Sequence, residues 1–415
     1  MTNQQDLMIS LNGDCLDHIF KMLPIGDRIN MIISYQNFYD IFRKRLRIDY
    51  KSNLNTRFFN TLHTFQLQVL LSIIGAYIKH LKIEFPFEEQ SYLREFIYFK
   101  FLFTYCINVE SLKYFGWCVN DESIRYLNSL RNLKSLAIIN NPEITGNYIY
   151  ELKGLQELSL NNCTHIESRY FEKIFQNLQS LQLLDIRNCN NLSSQNFQTI
   201  FENLKHLQTL KLSTTKEHIN CLAQLPRLKQ LEIWRDNIIS PPITKEFLGN
   251  LAKYQAKQLD ALKLVDCSSF DADKASLVAQ LEKLKVLHCM CNPCDEAIME
   301  KFSHLSQLKE LNINNSYFIS NRSVLQLLSN CQRLKRFSLR SCGLITAELI
   351  PNLLYLLKQQ RQLPTDRVHI DLNPYKFSGK ISEIDLEDSS DVLKFSYKYL
   401  TYDYECLTQM IKIIK

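Results

Sequence analysis

Residues Leu155–Cys163 read LQELSLNNC, and the same nine-residue frame returns as LQLLDIRNC (Leu181–Cys189), LDALKLVDC (Leu259–Cys267) and LKRFSLRSC (Leu334–Cys342). Looser copies lie between them: LKSLAIINN (Leu133–Asn141), LPRLKQLEI followed by WRD (Leu225–Asp236) and LKELNINNS (Leu308–Ser316). A period of this length is the mark of a repeat architecture, in which no single unit buries its own apolar face. Aligning the frames gives one anchor per repeat: Leu81, Leu112, Leu136, Leu158, Leu184, Leu210, Leu231, Leu262, Leu287 and Leu311, with Phe337 in the last clear copy. The anchors are 21 to 31 residues apart, most of them 24–26. Three residues before each anchor stands Ile78, Val109 and then leucine throughout, to Leu334. Two residues after it the side chain is aliphatic except at Tyr114 and Cys289. Three apolar columns held over eleven rows are not a chance pattern.

The alternation x-Leu-x-Leu-x sends every second side chain of a short strand inward. Strands that repeat with one sense after a helical return pair in parallel. The returning segments, such as Ser168–Leu178 (SRYFEKIFQNL) and Asn196–Leu204 (NFQTIFENL), have helical spacing. The frame resembles the leucine-rich repeat in its cysteine-containing form. The predicted fold is therefore α/β, a leucine-rich-repeat horseshoe with a parallel sheet on the concave face and helices on the convex face. That resemblance also implies a role for the residue five after each anchor: Trp117, Asn141, Cys163, Cys189, Thr215, Asp236, Cys267, Asn292, Ser316 and Cys342. In the family this position faces inward at the turn leaving the strand and bonds to backbone groups, so Cys163, Cys189, Cys267 and Cys342 are expected to be structural.

The first forty residues have another character. Leu16, Ile19, Phe20 and Leu23 recur at helical spacing, Asp14 is the predicted N-cap, and Pro24 stops the helix because it lacks a backbone donor. A second helical pattern after Asp27 carries Ile29, Ile32 and Ile33. Three short helices cannot bury a core alone, so a partner or the next domain must cover them. Leu11, Asp14, Leu16, Ile19, Phe20, Leu23 and Pro24 stand in the register of an F-box, whose pattern contains Leu-x-x-Ile-Phe-x-x-Leu-Pro. The segment departs from that pattern at Asn12, Arg28, Ser34 and Phe38, where proline, leucine, valine and tryptophan are usual. An F-box ahead of such an array resembles the F-box leucine-rich-repeat proteins, the substrate-recognition subunits of SCF-type ubiquitin ligases. The resemblance implies that Leu11, Leu16, Ile19, Phe20, Leu23 and Pro24 contact a Skp adaptor, that the adaptor links the chain to a cullin scaffold, and that the repeats hold a protein substrate of unknown identity. The competing reading is a scaffold whose N-terminal helices only cap the first repeat.

Composition narrows the function. A hydrophobic fraction of 46% with 22% charged residues is that of an ordinary globular chain. A net charge of +6 over 415 residues is mild and gives no reason to expect nucleic acid as a partner. The polar start MTNQQDLMIS lacks the apolar core of a signal peptide, no apolar run is long enough to cross a membrane, and the thirteen cysteines recur by repeat, not as pairs. A reduced protein of the cytoplasm or nucleus is expected. The basic run RKRLR (Arg43–Arg47) reads as a solvated helix end, Leu46-x-Ile48 as a first strand, and Arg57–Ile74 as a helix. No phosphate loop or nucleophile motif is present, so neither an enzyme nor a cofactor is expected. One cluster, His288, Cys289, Cys291 and Cys294, has the residue types of a zinc site, but strand alternation sends Cys289 inward and His288 outward.

Specificity must then lie between the leucines. The row three after each anchor carries Phe115, Ile139, Arg187, Trp234, Met290 and Arg340 as candidate substrate contacts, Trp and Arg being common among interface hot spots. The predicted division is 1–45 for the helical module, 46–107 for a linker and first repeat, 108–375 for the repeats, and 376–415 for a C-terminal cap or tail. Within that last stretch, Asp385–Asp391 is acidic and Val392–Tyr404 alternates like a strand, while Val368-x-Ile370-x-Leu372 reads as the last strand of the array.

Overall fold

The computed structural model describes residues 11–34, 39–50, 53–56, 61–84, 92–116, 119–235, 241–265, 270–290, 294–346, 348–360, 368–372 and 393–396. The chain forms two compact units, Met1–Gln208 and Thr209–Lys415. In the first, helices α1 (Gly13–Met22), α2 (Ile25–Ser34) and α3 (Tyr39–Tyr50) precede strand β1 (Asn53–Asn55) and helix α4 (Thr64–Ile74). Strands β2 (His80–Glu84), β3 (Ser111–Phe115), β4 (Ser135–Ile139), β5 (Glu157–Ser159) and β6 (Leu183–Ile186) follow, with helical segments between them. All neighbours pair in parallel and in chain order. The register sets Leu54, Leu81, Leu112, Leu136, Leu158 and Leu184 opposite one another, so one row of leucines crosses the sheet.

The second unit repeats the plan with β7 (Thr209–Ser213), β8 (Gln230–Trp234), β9 (Ala261–Val265), β10 (Val286–Met290), β11 (Glu310–Asn312), β12 (Arg336–Ser338), β13 (Val368–Asp371) and β14 (Leu393–Ser396). Here Leu210, Leu231, Leu262, Leu287, Leu311, Phe337 and Ile370 share the row. The three apolar columns read from the sequence are all core: none of their residues from Ile78 to Leu339 is more than 4% exposed.

The turn leaving each strand is built from two neighbouring positions. Four residues after the anchor the backbone is left-handed at Asn140, Asn162, Asn188, Asn315 and Ser341, with φ between 55° and 65°, and glycine fills the same place at Gly116. Asparagine tolerates this region better than branched residues. One residue later the side chain turns inward. The thiols of Cys163, Cys189 and Cys342 donate to the carbonyls of Ile138 (3.3 Å), Leu160 (3.1 Å) and Ile313 (3.6 Å), each in the preceding strand or at its end. Asn141 does similar work with three bonds, donating to Gly116 O and accepting from the amides of Glu143 and Ile144. The structural role implied for this column holds at Cys163, Cys189 and Cys342; Trp117, Asp236, Cys267 and Asn292 lie outside the described residues.

Several expectations are corrected. Leu46-x-Ile48 is not a strand but part of α3, because Phe42 and Leu46, four residues apart, are both buried on the helix face toward the module core. A three-residue alternation was too short to fix the period. The first strand is β1 instead. The α-helix expected over Arg57–Ile74 starts at Thr64, where His63 and Gln66 form a capping box. Asn12, not Asp14, caps α1, accepting from Cys15 N at 2.8 Å. Val368–Asp371 is not the last strand, since β14 pairs with it in parallel. Asp385–Asp391 lies outside the described residues, as does the Val392–Tyr404 stretch apart from β14. No described helix is long and apolar enough to cross a membrane.

Removing one leucine leaves a cavity between rigid neighbours. Leu158→Ala or Leu287→Ala should each cost about 2–5 kcal/mol in denaturant unfolding. Burial pushes the thiols of Cys106, Cys163, Cys294 and Cys331 up to about 12. These folded values lie above the unfolded value of about 8.5, so their contribution is complete below that pH and is lost as pH rises toward 12. The urea midpoint should therefore fall steadily from pH 9 to 11, and iodoacetamide at pH 8 should label exposed Cys15 while sparing these four.

Candidate functional site

The N-terminal module has its own core. Leu16, Phe20, Ile29, Ile32, Phe42 and Leu46 are buried, and Phe20 stacks on Phe42 with ring centroids 4.5 Å apart. Leu16 and Phe20, expected as adaptor contacts, are 0% exposed and belong to this core. Leu11, Ile19 and Leu23 are half-buried and Pro24 is exposed. Met22, which the sequence motif did not single out, is 76% exposed. Ile19 and Met22 are three residues apart on α1, and Cys15 is four before Ile19, so helical spacing gathers all three on one side. Leu23 and Pro24 follow at the helix end. This edge is apolar and unpartnered among the described residues, and its signal in sequence was the i, i+4, i+7 spacing.

Two departures from the F-box pattern have structural reasons. Arg28 donates to Leu23 O and Lys21 O, both at 2.8 Å, and its guanidinium lies 5.5 Å from the Phe20 ring centroid. It thus satisfies carbonyls at the C-terminal end of α1, where cations are favoured. It also pairs with Asp49 of α3 at 3.1 Å, and Asp49 pairs with Arg45 at 2.7 Å. Asp17 of α1 joins through Lys21 (2.7 Å) and Arg45 (3.8 Å), and the Lys21 ammonium holds its carboxyl below the usual range. A leucine at position 28 could make none of these bonds. Asn12 serves as the cap already described, a task proline cannot perform with a side-chain acceptor. Ser34 is exposed, and Phe38 lies outside the described residues.

The basic run is partly engaged, not simply solvated. Arg45 belongs to the network above, Arg47 lies 4.5 Å from the Tyr77 ring, and Arg43 lies 5.8 Å from the Tyr39 ring. The module rests on α4, where Gln66 donates to Asn30 Oδ1 at 2.9 Å and to Gly26 O at 3.4 Å.

The second candidate region is the polar face of the sheet, taken in each unit separately. In the first, Phe115 has the ammonium groups of Lys82 and Lys113 at 5.1 and 4.6 Å from its ring. Ile139 is 6% exposed and offers little to a partner. Arg187 is held against Asp185 of its own strand at 2.7 Å, with only 12% of its side chain exposed. In the second unit, Trp234 donates its indole N–H to Glu232 and stands opposite Val265, which in turn stands opposite Met290. Arg340 pairs with Asp371 at 2.7 Å. Trp234 and Met290 thus flank Val265 of β9 in the second unit, while Arg187 in the first and Arg340 in the second are each tied to a carboxylate.

Sequence reading missed the row one residue after the anchors, where those carboxylates sit, because an isolated charge between leucines reads as a solvated position. Cys289 is buried while His288 bonds to Glu310 at 2.8 Å, so alternation separates the two as expected. Burial holds His288 below the ordinary imidazole value, against the pull of Glu310. Cys291 lies outside the described residues.

No family model matches the chain, and no curated protein matches it. Among solved structures it is similar to a chain of the yeast Rad7 and Elc1 complex, with a TM-score of 0.53 and 13% identity over 84% of this chain and 96% of that one. The fold is a leucine-rich repeat. An internalin of Listeria monocytogenes, InlF, is also similar, at 14% identity over 86% of this chain and 89% of that one, with a TM-score of 0.42. At 13% identity the likeness to the Rad7 and Elc1 structure establishes the fold alone.

Arg28→Leu, which restores the usual F-box residue, should lower stability by roughly 1–3 kcal/mol in a denaturant series, because it strips charge-assisted bonds from two carbonyls and one carboxylate. A neutral or stabilising result would show that the guanidinium does not hold α1 to α3.

Proposed function

We propose that this chain is a non-catalytic, substrate-recognition subunit of an SCF-type ubiquitin ligase, in which the N-terminal module is an F-box docking on a Skp adaptor and, through it, on a cullin. The observation that carries the reading is the apolar edge Leu11, Ile19, Met22, Leu23 and Pro24 on a module whose core is already filled. Met22 in particular has no structural reason to be apolar where it stands, and apolar groups gathered at one edge mark an interaction site. The similar solved structure is a complex, of Rad7 with Elc1, which is in keeping with a repeat protein that works through a partner. The sheet face would hold a protein substrate, and the chain would supply proximity while other subunits supply the chemistry. Such a subunit works in the cytoplasm or nucleus.

One observation favours the cap reading instead. The Gln66 bonds and the packing of α2 and α3 on α4 are what a cap on the first repeat needs. The two readings differ only at the outer edge, which a cap leaves idle. Pull-down of a purified Skp adaptor by the full chain decides between them. Ile19→Asp with Met22→Asp should abolish capture while leaving the melting temperature within a few degrees of wild type. Phe20→Ala should instead lower stability by about 3–5 kcal/mol, as a buried aromatic does. A wild-type chain that captures no adaptor would leave the cap reading standing.

A further inference from the structure

The sheet face of β11–β13 carries a depression of about 250 Å³ lined by Glu310, Asn312, Arg336, Ser338, His369 and Asp371 together with Leu311 and Phe337. We propose that it is an anion subsite that takes the carboxylate side chain of an acidic segment in a bound protein. The inference rests on the reading of the sheet face as the substrate surface and adds which part of it binds and what it selects.

The argument is an account of donors and acceptors. Both carboxylates in the depression are already engaged: Glu310 by His288 at 2.8 Å and Arg336 at 3.4 Å, Asp371 by Arg340 at 2.7 Å and by the Ser338 hydroxyl at 3.4 Å. The Ser338 hydroxyl also reaches Asn314 Oδ1 at 2.8 Å. Asn312 uses its Oδ1 on the amide of Asn314 at 3.1 Å, which leaves its Nδ2 donor over. Arg336 has five N–H donors and one contact, the long one to Glu310, with 73% of its side chain exposed. The side chain of His369 makes no hydrogen bond or ion pair among the described residues.

What remains is a set of donors without acceptors, placed by the register. Arg336 stands opposite His369 on one side and Glu310 on the other, and Asn312 lies two residues along from Glu310 on the same face. A planar guanidinium beside further N–H groups fits a carboxylate, which accepts two parallel bonds from Arg. A basic segment would bring its charge against Arg336 and Arg340, which already hold Glu310 and Asp371. Arg340, a substrate candidate from its place in the row, is in this arrangement a positioning residue: it neutralises Asp371 so that an incoming anion does not face a bare charge.

Three labelled peptides test this against the full-length protein by fluorescence polarisation: alternating Glu-Gly, Lys-Gly and phosphoserine-Gly, each of eight residues. The Glu-Gly peptide should bind, with affinity falling as salt is raised. Arg336→Glu should weaken it about tenfold or more, the scale of a lost charge-assisted bond. Asn312→Ala should weaken it several-fold, and Arg333→Glu, three residues before β12, should change nothing. Equal binding by wild type and Arg336→Glu, or binding of the Lys-Gly peptide as tight as that of Glu-Gly, overturns the proposal. Binding of the phosphoserine peptide alone overturns the carboxylate assignment. Thermal melts of each variant separate lost binding from lost folding, and Asn312→Ala, which removes a donor without adding a charge, decides if Arg336→Glu does not fold. Adaptor capture by Arg336→Glu should stay at the wild-type level. Peptide binding by a wild-type chain that captures no adaptor would refute the ligase reading and leave this one intact.

Discussion

Within each unit, everything rests on leucine meeting leucine across parallel strands. The row that runs from Leu54 to Leu184, and the one from Leu210 to Ile370, place an apolar side chain of each strand against its counterpart one repeat away. Each such group contributes about 1.5–3 kcal/mol on burial, and none can be buried by its own repeat. The contact that stabilises a strand is therefore the contact that sets its register. A slip of one residue would turn the whole apolar set toward solvent.

The turn chemistry follows from that constraint. Once a strand is short and its register fixed, the chain must leave it sharply, and the left-handed backbone at Asn140, Asn162, Asn188, Asn315 and Ser341 makes the turn. The bend brings the side chain that follows it against a backbone carbonyl of the preceding repeat. The thiols of Cys163, Cys189 and Cys342 donate to such carbonyls, and burial keeps the Cys163 thiol protonated. Cysteine and asparagine in the same column both donate to a carbonyl of the preceding repeat, so the column is chemically mixed yet spatially regular.

The N-terminal module obeys a different logic. Its three helices are too short to be stable alone, and a stacked Phe20–Phe42 pair together with an ionic chain from Lys21 through Asp17, Arg45 and Asp49 to Arg28 binds them. Those charges are partly exposed, so each pair contributes modestly. Their geometric effect is larger: they orient α1 so that Leu16 and Phe20 point in and Ile19 and Met22 point out. The outward edge is what the module has to offer another protein.

The repeat frame, the three apolar columns and the parallel α/β class were determined by the sequence alone, because a periodic apolar pattern can be satisfied by one stacking geometry only. The same local reasoning located the helical module and its motif. It could not tell which motif residues were core: Leu16 and Ile19 look alike on a helix until α2 and α3 choose a side. Nor could it read Arg28 as a cap for α1, or see that Glu310 and Asp371 are matched by His288, Arg336 and Arg340, since those partners lie one repeat or one helix away. Periodicity is a property of neighbours in the chain. Pairing of charges, and the donors left over from it, is a property of neighbours in space, and only the folded chain decides it.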